Sequence, residues 1–305
     1  MPKKIWVLSL LSVVLIASFA TLNLSAQTSM TGEWKATLSD EKTHLNLHLS
    51  RGPEKARQHN IGQTFELSEL GLTRQQVEAG GPIQFNLVRE AGTIEGEGSF
   101  ENGKGSGTFR FTGSVAFVSA MKTRGFDFEK ESSRDVHGSL EERLLAAAVL
   151  NVTTARADDL VSAGFPNLTV GDLFKATIFK IDSAYMREMK NTGFPNLGMG
   201  ELVKARIFKI DANFIRQAAE MGFDKEPFEN LVKMSIFKIS PAFVTEIRNE
   251  GLTNLSMEEL VKLSIFKIDA AFIRQAKAEG IPLNVERLVQ KRIGVDRIRT
   301  RAIVE

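Results

Sequence analysis

Ile178-Phe179-Lys180-Ile181, Ile207-Phe208-Lys209-Ile210, Ile236-Phe237-Lys238-Ile239 and Ile265-Phe266-Lys267-Ile268 repeat one tetrapeptide at a constant interval of 29 residues. A period between about 20 and 50 residues marks stacked supersecondary units, none of which can bury its apolar face without a neighbour. The second half of the chain is therefore expected to be a repeat array, and the rest of the sequence is read outward from it.

One unit can be read from residues 256–283. Ser256-Met257-Glu258-Glu259 is a capping box, with a hydroxyl at the N-cap and a carboxylate three residues on. It predicts a helix A running through Leu260, Val261, Ile265 and Phe266. Asp269 reads as a second N-cap, and helix B carries Phe272, Ile273 and Ala276 before Gly280 stops it. In the preceding copy Ser240-Pro241 places a proline at the first helical position, where its missing N–H is harmless. The unit is a helical hairpin. Its stop glycine recurs as Gly164, Gly193, Gly222, Gly251 and Gly280, which gives about five units. Val149-Leu150-Asn151-Val152, followed by a cap at Thr153, replaces the tetrapeptide in the first unit. Ile293-Gly294-Val295-Asp296 replaces it one residue early in the last, which runs into Arg297, Arg299 and Arg301. Atypical end units are the expected caps of a solenoid.

A helical projection sets Leu202, Val203, Ile207 and Ile210 on one side of helix A, with Lys204 and Phe208 on the other. The Lys–Phe pair, four residues apart, recurs as Lys175/Phe179, Lys233/Phe237 and Lys262/Phe266, and a further row consists of Lys180, Lys209, Lys238 and Lys267. Two readings are open. Either helix A is buried on two sides, or the array displays phenylalanines flanked by lysine. The candidate binding residues are Lys204, Phe208, Lys209, Lys233, Phe237, Lys238, Lys262, Phe266 and Lys267. A charge row is usually a solvated face, and its alternative is a site for a polyanion.

Upstream, residues 30–126 follow a period of two. Trp34, Ala36 and Leu38, then Leu45, Leu47 and Leu49, alternate with polar residues, as half-buried strands do. Residues 93–112 read as a hairpin about Asn102-Gly103, a pair suited to positive φ. About six antiparallel strands, in a barrel- or sandwich-like sheet, are expected. Gly96, Gly98, Gly105 and Gly107 imply sheet curvature or close backbone approach, with a carbohydrate or lipid cleft as the functional alternative. His44 and His48 alternate with leucines on one strand, about 13 Å apart, too far to share a metal ion. Ser114-Val115-Ala116-Phe117-Val118 with Gly125-Phe126 matches Ser240-Pro241-Ala242-Phe243-Val244 with Gly251-Leu252, so the β-domain ends in a repeat-like helix. The polar stretch 127–138 reads as a linker before a helical domain over 139–305. The fold class is α+β, a sheet followed by an α/α solenoid of 29-residue hairpins.

At the N-terminus Lys3 and Lys4 precede an apolar run from Ile5 to Phe19 and small residues ending at Ala20 or Ala26. That is the pattern of a signal peptide over residues 1–26, and export to the periplasm or beyond is expected. Membrane contact is expected only if this segment is retained. Without it the 39 basic residues lose two and equal the 37 acidic ones, a balance that argues against nucleic acid as a partner. The absence of cysteine excludes disulfides, a thiol nucleophile and a cysteine-linked lipid anchor.

No zinc-protease, nucleophile-elbow or phosphate-loop motif is present, and all four histidines, His44, His48, His59 and His137, precede the repeats. No enzyme activity and no cofactor are expected. The unit from Phe243 to Leu263 resembles repeats at the extracytoplasmic C-terminal end of some bacterial BlaR/MecR-type regulatory metallopeptidases. The segment from Gly92-Thr93 to Phe111, ending in Ala116-Phe117-Val118, is similar to a module preceding such repeats. The resemblance implies an exported sensor-like or scaffold module; the family's membrane helices and protease motif are absent, so its proteolysis is not implied. The expectation is a non-enzymatic exported protein whose solenoid engages a protein or peptide of the cell envelope. The alternatives are a binder of anionic envelope polymers such as peptidoglycan or lipopolysaccharide, using the lysine rows and the basic end, and a hydrolase with a site in the β-domain.

Overall fold

A computed structural model of the chain describes residues 29–51, 59–130 and 138–294. The expected leader, most of the expected linker, His137 and the arginines beyond Gly294 lie outside them. The class is α+β. Six strands, β1 (Ser29–Leu38), β2 (His44–Arg51), β3 (His59–Glu66), β4 (Gly81–Arg89), β5 (Gly92–Glu101) and β6 (Lys104–Gly113), form one antiparallel sheet in the order β3-β2-β1-β6-β5-β4. The sheet is open, with β3 and β4 as its edges, in place of the barrel- or sandwich-like closure expected from the alternation. A 3-10 turn (Leu67–Leu70) and a short helix α1 (Arg74–Ala79) join β3 to β4.

Alternation decides which side is core. Met30, Trp34, Ala36, Leu45, Leu47, Leu49, Phe85, Ile94, Phe109 and Phe111 are all buried on one face. The turn at Asn102 and Gly103 has φ of 51° and 74°, as the two-residue hairpin demands. Trp34 is fully buried, with ring centroids 5.4 Å from Phe85 and 5.7 Å from Phe100, and its indole N–H donates to the Glu97 carbonyl at 3.1 Å. The strand glycines make this packing possible. A Cβ on Gly96 would lie 2.2 Å from the Phe85 ring, and one on Gly107 would lie 2.0 Å from the Glu97 carbonyl oxygen. Close approach is the reason for the glycines.

Twelve helices follow in the described residues. They are α2 (Val115–Lys122), α3 (Leu140–Val149), α4 (Thr154–Ser162), α5 (Val170–Ile178), α6 (Ser183–Lys190), α7 (Met199–Ile207), α8 (Ala212–Glu220), α9 (Phe228–Ile236), α10 (Pro241–Asn249), α11 (Met257–Ile265), α12 (Ala270–Ala278) and α13 (Val285–Ile293). The caps read from the sequence at Ser240, Ser256 and Asp269 hold, and Asp182 and Asp211 cap the equivalent helices. Asp182, Asp211, Ser240, Ser256 and Asp269 each accept a backbone N–H three residues on, which satisfies one of the four donors that a helix start leaves unpaired. Odd-numbered helices pack on one another, α5 on α7, α9 on α11 and α11 on α13, while α2 packs on α4 and α4 on α6. Helix α2, which follows the last strand, thus packs on α4 as α6 does.

The join between sheet and helices is packed. Phe126, the last residue of the expected β-domain, and Phe128, at the start of the expected linker, are buried, and the Phe128 ring stands 5.4 Å from Phe117 and 6.1 Å from Phe174. Helix α3 lies against β3, β5 and β6. From it the buried Arg143 reaches back, donating to the carbonyls of Phe128 at 2.9 Å, Gly138 at 2.8 Å and Glu129 at 3.5 Å. Arg124 forks onto Asp158 at 2.8 and 3.0 Å, and Glu90 accepts the Thr154 N–H at 2.8 Å. A single hydrophobic cluster extends from Met30 to Val289.

The only tyrosine of the chain offers a titration within that cluster. Tyr185 is 6% exposed, its hydroxyl has no partner among the described residues, and the Arg206 guanidinium sits 3.6 Å from its ring centroid. Burial pushes the phenol from 10.0 up to about 12, against the pull of Arg206. Between those values the folded chain keeps a proton that the unfolded chain releases, so this stability is complete below pH 10.0 and is lost as pH rises towards 12. Phenolate absorbance should show the raised value. Tyr185→Phe should flatten the alkaline fall in stability, a difference of about 3 kcal/mol at most.

Candidate binding surface

Each tetrapeptide closes an A helix. In α5, α7, α9 and α11 the first isoleucine is the last helical residue, phenylalanine is the C-cap, and lysine follows in the left-handed region, with φ of 53°, 54°, 53° and 51° at Lys180, Lys209, Lys238 and Lys267. The second isoleucine then sends its N–H back to the helix, Ile210 to the Ala205 carbonyl at 2.8 Å and Ile268 to the Leu263 carbonyl at 2.8 Å. This is a Schellman closure with lysine in the position that glycine usually fills. The projection that continued helix A to Ile210 does not hold, because the helix ends three residues earlier. Ile207 is 52% exposed while Ile210 is 1% exposed.

The candidate residues separate accordingly. Phe208, Phe237 and Phe266, like Phe179, are half-buried and pack against the core. Lys204 and Lys262 bind acids of the next unit, Glu229 and Glu286, each at 2.5 Å. These hydrogen bonds hold both ammonium groups above the ordinary lysine range. Lys233 is exposed and has no ion pair among the described residues. Lys209, Lys238 and Lys267, with Lys180, are exposed and likewise unpaired among the described residues.

Beside these lysines stand residues that the sequence reading left on an inner side. Ile178, Ile207, Ile236 and Ile265 are exposed by 53%, 52%, 48% and 52%. The usable signal was the apolar residue directly after the lysine, which marks the hydrophobic contact of a Schellman closure and so the end of the helix. Neighbouring units are stitched at this edge. The Ser235 hydroxyl donates to the Phe208 carbonyl at 2.5 Å, Ser264 to Phe237 at 2.6 Å, Arg206 to Lys180 at 2.9 Å and Arg292 to Phe266 at 2.9 Å. Each donor satisfies carbonyls that the previous helix end leaves unpaired. A notch of about 180 Å³ opens between two units beside Lys238, with Phe214, Gln217, Met221, Ser235 and Pro241 in its walls.

Left-handed lysine is unfavourable by about 1 kcal/mol relative to glycine, partly offset by its charge at a helix C-terminus. Lys209→Gly should therefore raise stability by about 0.5 kcal/mol in urea unfolding. A loss of stability would mean that the lysine makes a contact within the fold.

A second concavity lies on the polar face of the sheet, an open groove of about 780 Å³ walled by Thr31, Glu33, Glu95, Glu97, Thr108 and Arg110. Phe85, Phe109, Gly96 and Gly32 also line it, while the two phenylalanine rings are buried on the core face. His44 and His48 lie outside it. The Thr43 hydroxyl is 2.8 Å from His44 Nδ1, and the His48 ring covers Gly62. Among the described residues no group of three or more His, Cys, Asp and Glu could hold a metal ion, and no helix is long and apolar enough to cross a membrane. No family model, curated protein or solved structure matches the chain.

Proposed function

We propose that this chain is an exported, non-enzymatic binding protein in which helices α3 to α13 form an α/α solenoid, capped by the sheet domain, that engages a protein partner of the cell envelope. The observation that supports this reading is the recurrence, in four successive units, of an exposed isoleucine beside an exposed lysine with no ion pair among the described residues. Repeated units hold equivalent side chains at even spacing, which suits an extended partner. The leader pattern and the resemblance to BlaR/MecR-type accessory modules support export and a sensing or scaffold role.

The phenylalanines serve in this reading as packing, and the ligand meets Ile207 and Lys209 and their equivalents. Photocrosslinkers placed singly at Ile207, Ile236 and Phe208 in the native host provide the test. One envelope protein captured from both isoleucine positions is the expected result. Adducts confined to the chain itself at Ile207 and Ile236 would overturn the reading. Capture of an anionic polymer that disappears as salt rises would instead favour the polyanion alternative, since contacts of that kind are screened.

A second reading, a hydrolase or carbohydrate-binding site on the sheet, is favoured by the groove that gathers Glu33, Glu95, Glu97 and Arg110. Its test is turnover or binding of envelope polysaccharides by the wild type and by Glu95→Gln and Glu97→Gln, and equal behaviour of all three would remove it.

A further inference from the structure

The six helix-closing positions of the helical array admit an internal comparison. At the two ends the left-handed residue is Asn151 and Gly294, types that this conformation favours, whereas the four units between them carry Lys180, Lys209, Lys238 and Lys267. The chain also has glycine in the left-handed position after its B helices, at Gly193, Gly222, Gly251 and Gly280. Lysine at the inner four is therefore not what closing the helix requires. Each of the four has an exposed isoleucine two residues before it, a β-branched side chain left half in water. Neither residue type is needed to close the helix there, and both suit a ligand carrying acidic and apolar groups.

The same edge also carries acids. Asp182, Asp211 and Asp269 stand two residues after their lysines, as N-caps of the following helices. A broad anionic surface such as a lipid headgroup layer would meet these carboxylates along with the ammonium groups. A ligand with discrete, spaced charges can meet the lysines and pass the aspartates. Packed helices lie about 8–10 Å apart, and a peptide extended as a polyproline II helix advances about 3.1 Å per residue with three residues per turn, so every third side chain falls on one face about 9 Å from the last and successive lysines align with that row. The notch beside Lys238 has room for an apolar side chain.

We infer that the turn edge of the array binds an extended acidic peptide segment of a partner protein, with a carboxylate at every third residue opposite Lys180, Lys209, Lys238 and Lys267 and apolar residues against Ile178, Ile207, Ile236 and Ile265. This inference rests on the protein-partner reading above and adds the chemistry and register of the partner.

The test is fluorescence anisotropy of the purified exported chain with two labelled peptides of about twelve residues, three for each of four lysines. Both have the same composition, one with glutamate at every third position and the other with its glutamates in adjacent pairs. The expected result is that the spaced peptide binds on the order of tenfold more tightly, and that replacing all four lysines by glycine weakens it about 30-fold, roughly twofold to threefold per exposed ion contact. Glycine suits the left-handed position, so the variant keeps its fold, and unchanged circular dichroism verifies this. Equal affinity of both peptides, lost together in the variant, would overturn the register while leaving the lysine row as a binding surface. Lysine-dependent binding of anionic phosphatidylglycerol vesicles without binding of either peptide would overturn the peptide inference in favour of a membrane. Binding of none of these probes would also overturn it, and capture from Ile207 in the host separately decides the broader reading.

Discussion

Arg143→Met should lower the stability of the whole chain by about 3 kcal/mol, because at least two well-formed charged hydrogen bonds to carbonyls disappear and a buried acceptor left unpaired is unfavourable by about 1–3 kcal/mol. Arg143 is 8% exposed, and its guanidinium bridges α3 to the Phe128 and Gly138 carbonyls, which lie near the two ends of the stretch that the sequence marks as a linker. Methionine fills much of the same volume, so the loss reports on the hydrogen bonds more than on a cavity. Arg143→Lys retains the charge without the fork and should recover only part of the loss. Urea unfolding of the three proteins is the check. An effect of Arg143→Met within about 0.5 kcal/mol of zero, the range of an ordinary surface substitution, would mean that the bridge does not hold the join.

Trp34→Ala should be at least as damaging, about 3–5 kcal/mol, the range for removing a large aromatic from a core. The ring has no exposed surface, touches Phe85 and Phe100, and bonds the Glu97 carbonyl through its N–H. It also fixes the identity of its neighbour across the sheet, since a Cβ on Gly98 would come within 2.6 Å of Trp34 Cζ2 and 2.2 Å of the Ser106 carbonyl oxygen. Gly98→Ala should therefore fail in the opposite sense, by overpacking, and the two changes combined should not compensate, because the carbonyl contact is backbone and remains. Trp34→Phe keeps an aromatic body and loses the N–H bond, at about 1–2 kcal/mol. Midpoints of denaturant unfolding rank the four variants against the wild type, and a Trp34→Ala chain as stable as the wild type would contradict the packing described for this face.

Much of this arrangement could be read from residue order. The strand alternation of Trp34, Ala36, Leu45, Leu47 and Leu49 placed the core face, and the capping signals at Ser240, Ser256 and Asp269 placed the helix starts. Such signals are local and depend on a few adjacent side chains. Helix ends were harder. A lysine in the left-handed region carries no compositional mark, so the period of 3.6 was carried past Ile207 and the exposed isoleucines were assigned inward. Open against closed sheets also differ only in whether the edge strands meet, which no single strand encodes. The packing of Phe128 and the reach of Arg143 depend on contacts between distant segments, and a polar stretch disguises them.

The spacing of Ile207, Lys209 and their equivalents has meaning for a ligand only if sheet and helices form one body, stitched unit to unit and closed at the first unit by α2. Apart from Trp6, within the expected leader, Trp34 is the only tryptophan, and it lies in the sheet, so its fluorescence reports on the sheet while far-ultraviolet circular dichroism reports on the helices. Equilibrium urea unfolding followed by both signals on one sample is the most direct measurement. Coincident transitions with a single midpoint are the expected result. A helical signal lost at a clearly different urea concentration from the Trp34 signal would contradict the single body and, with it, the fixed row of lysines.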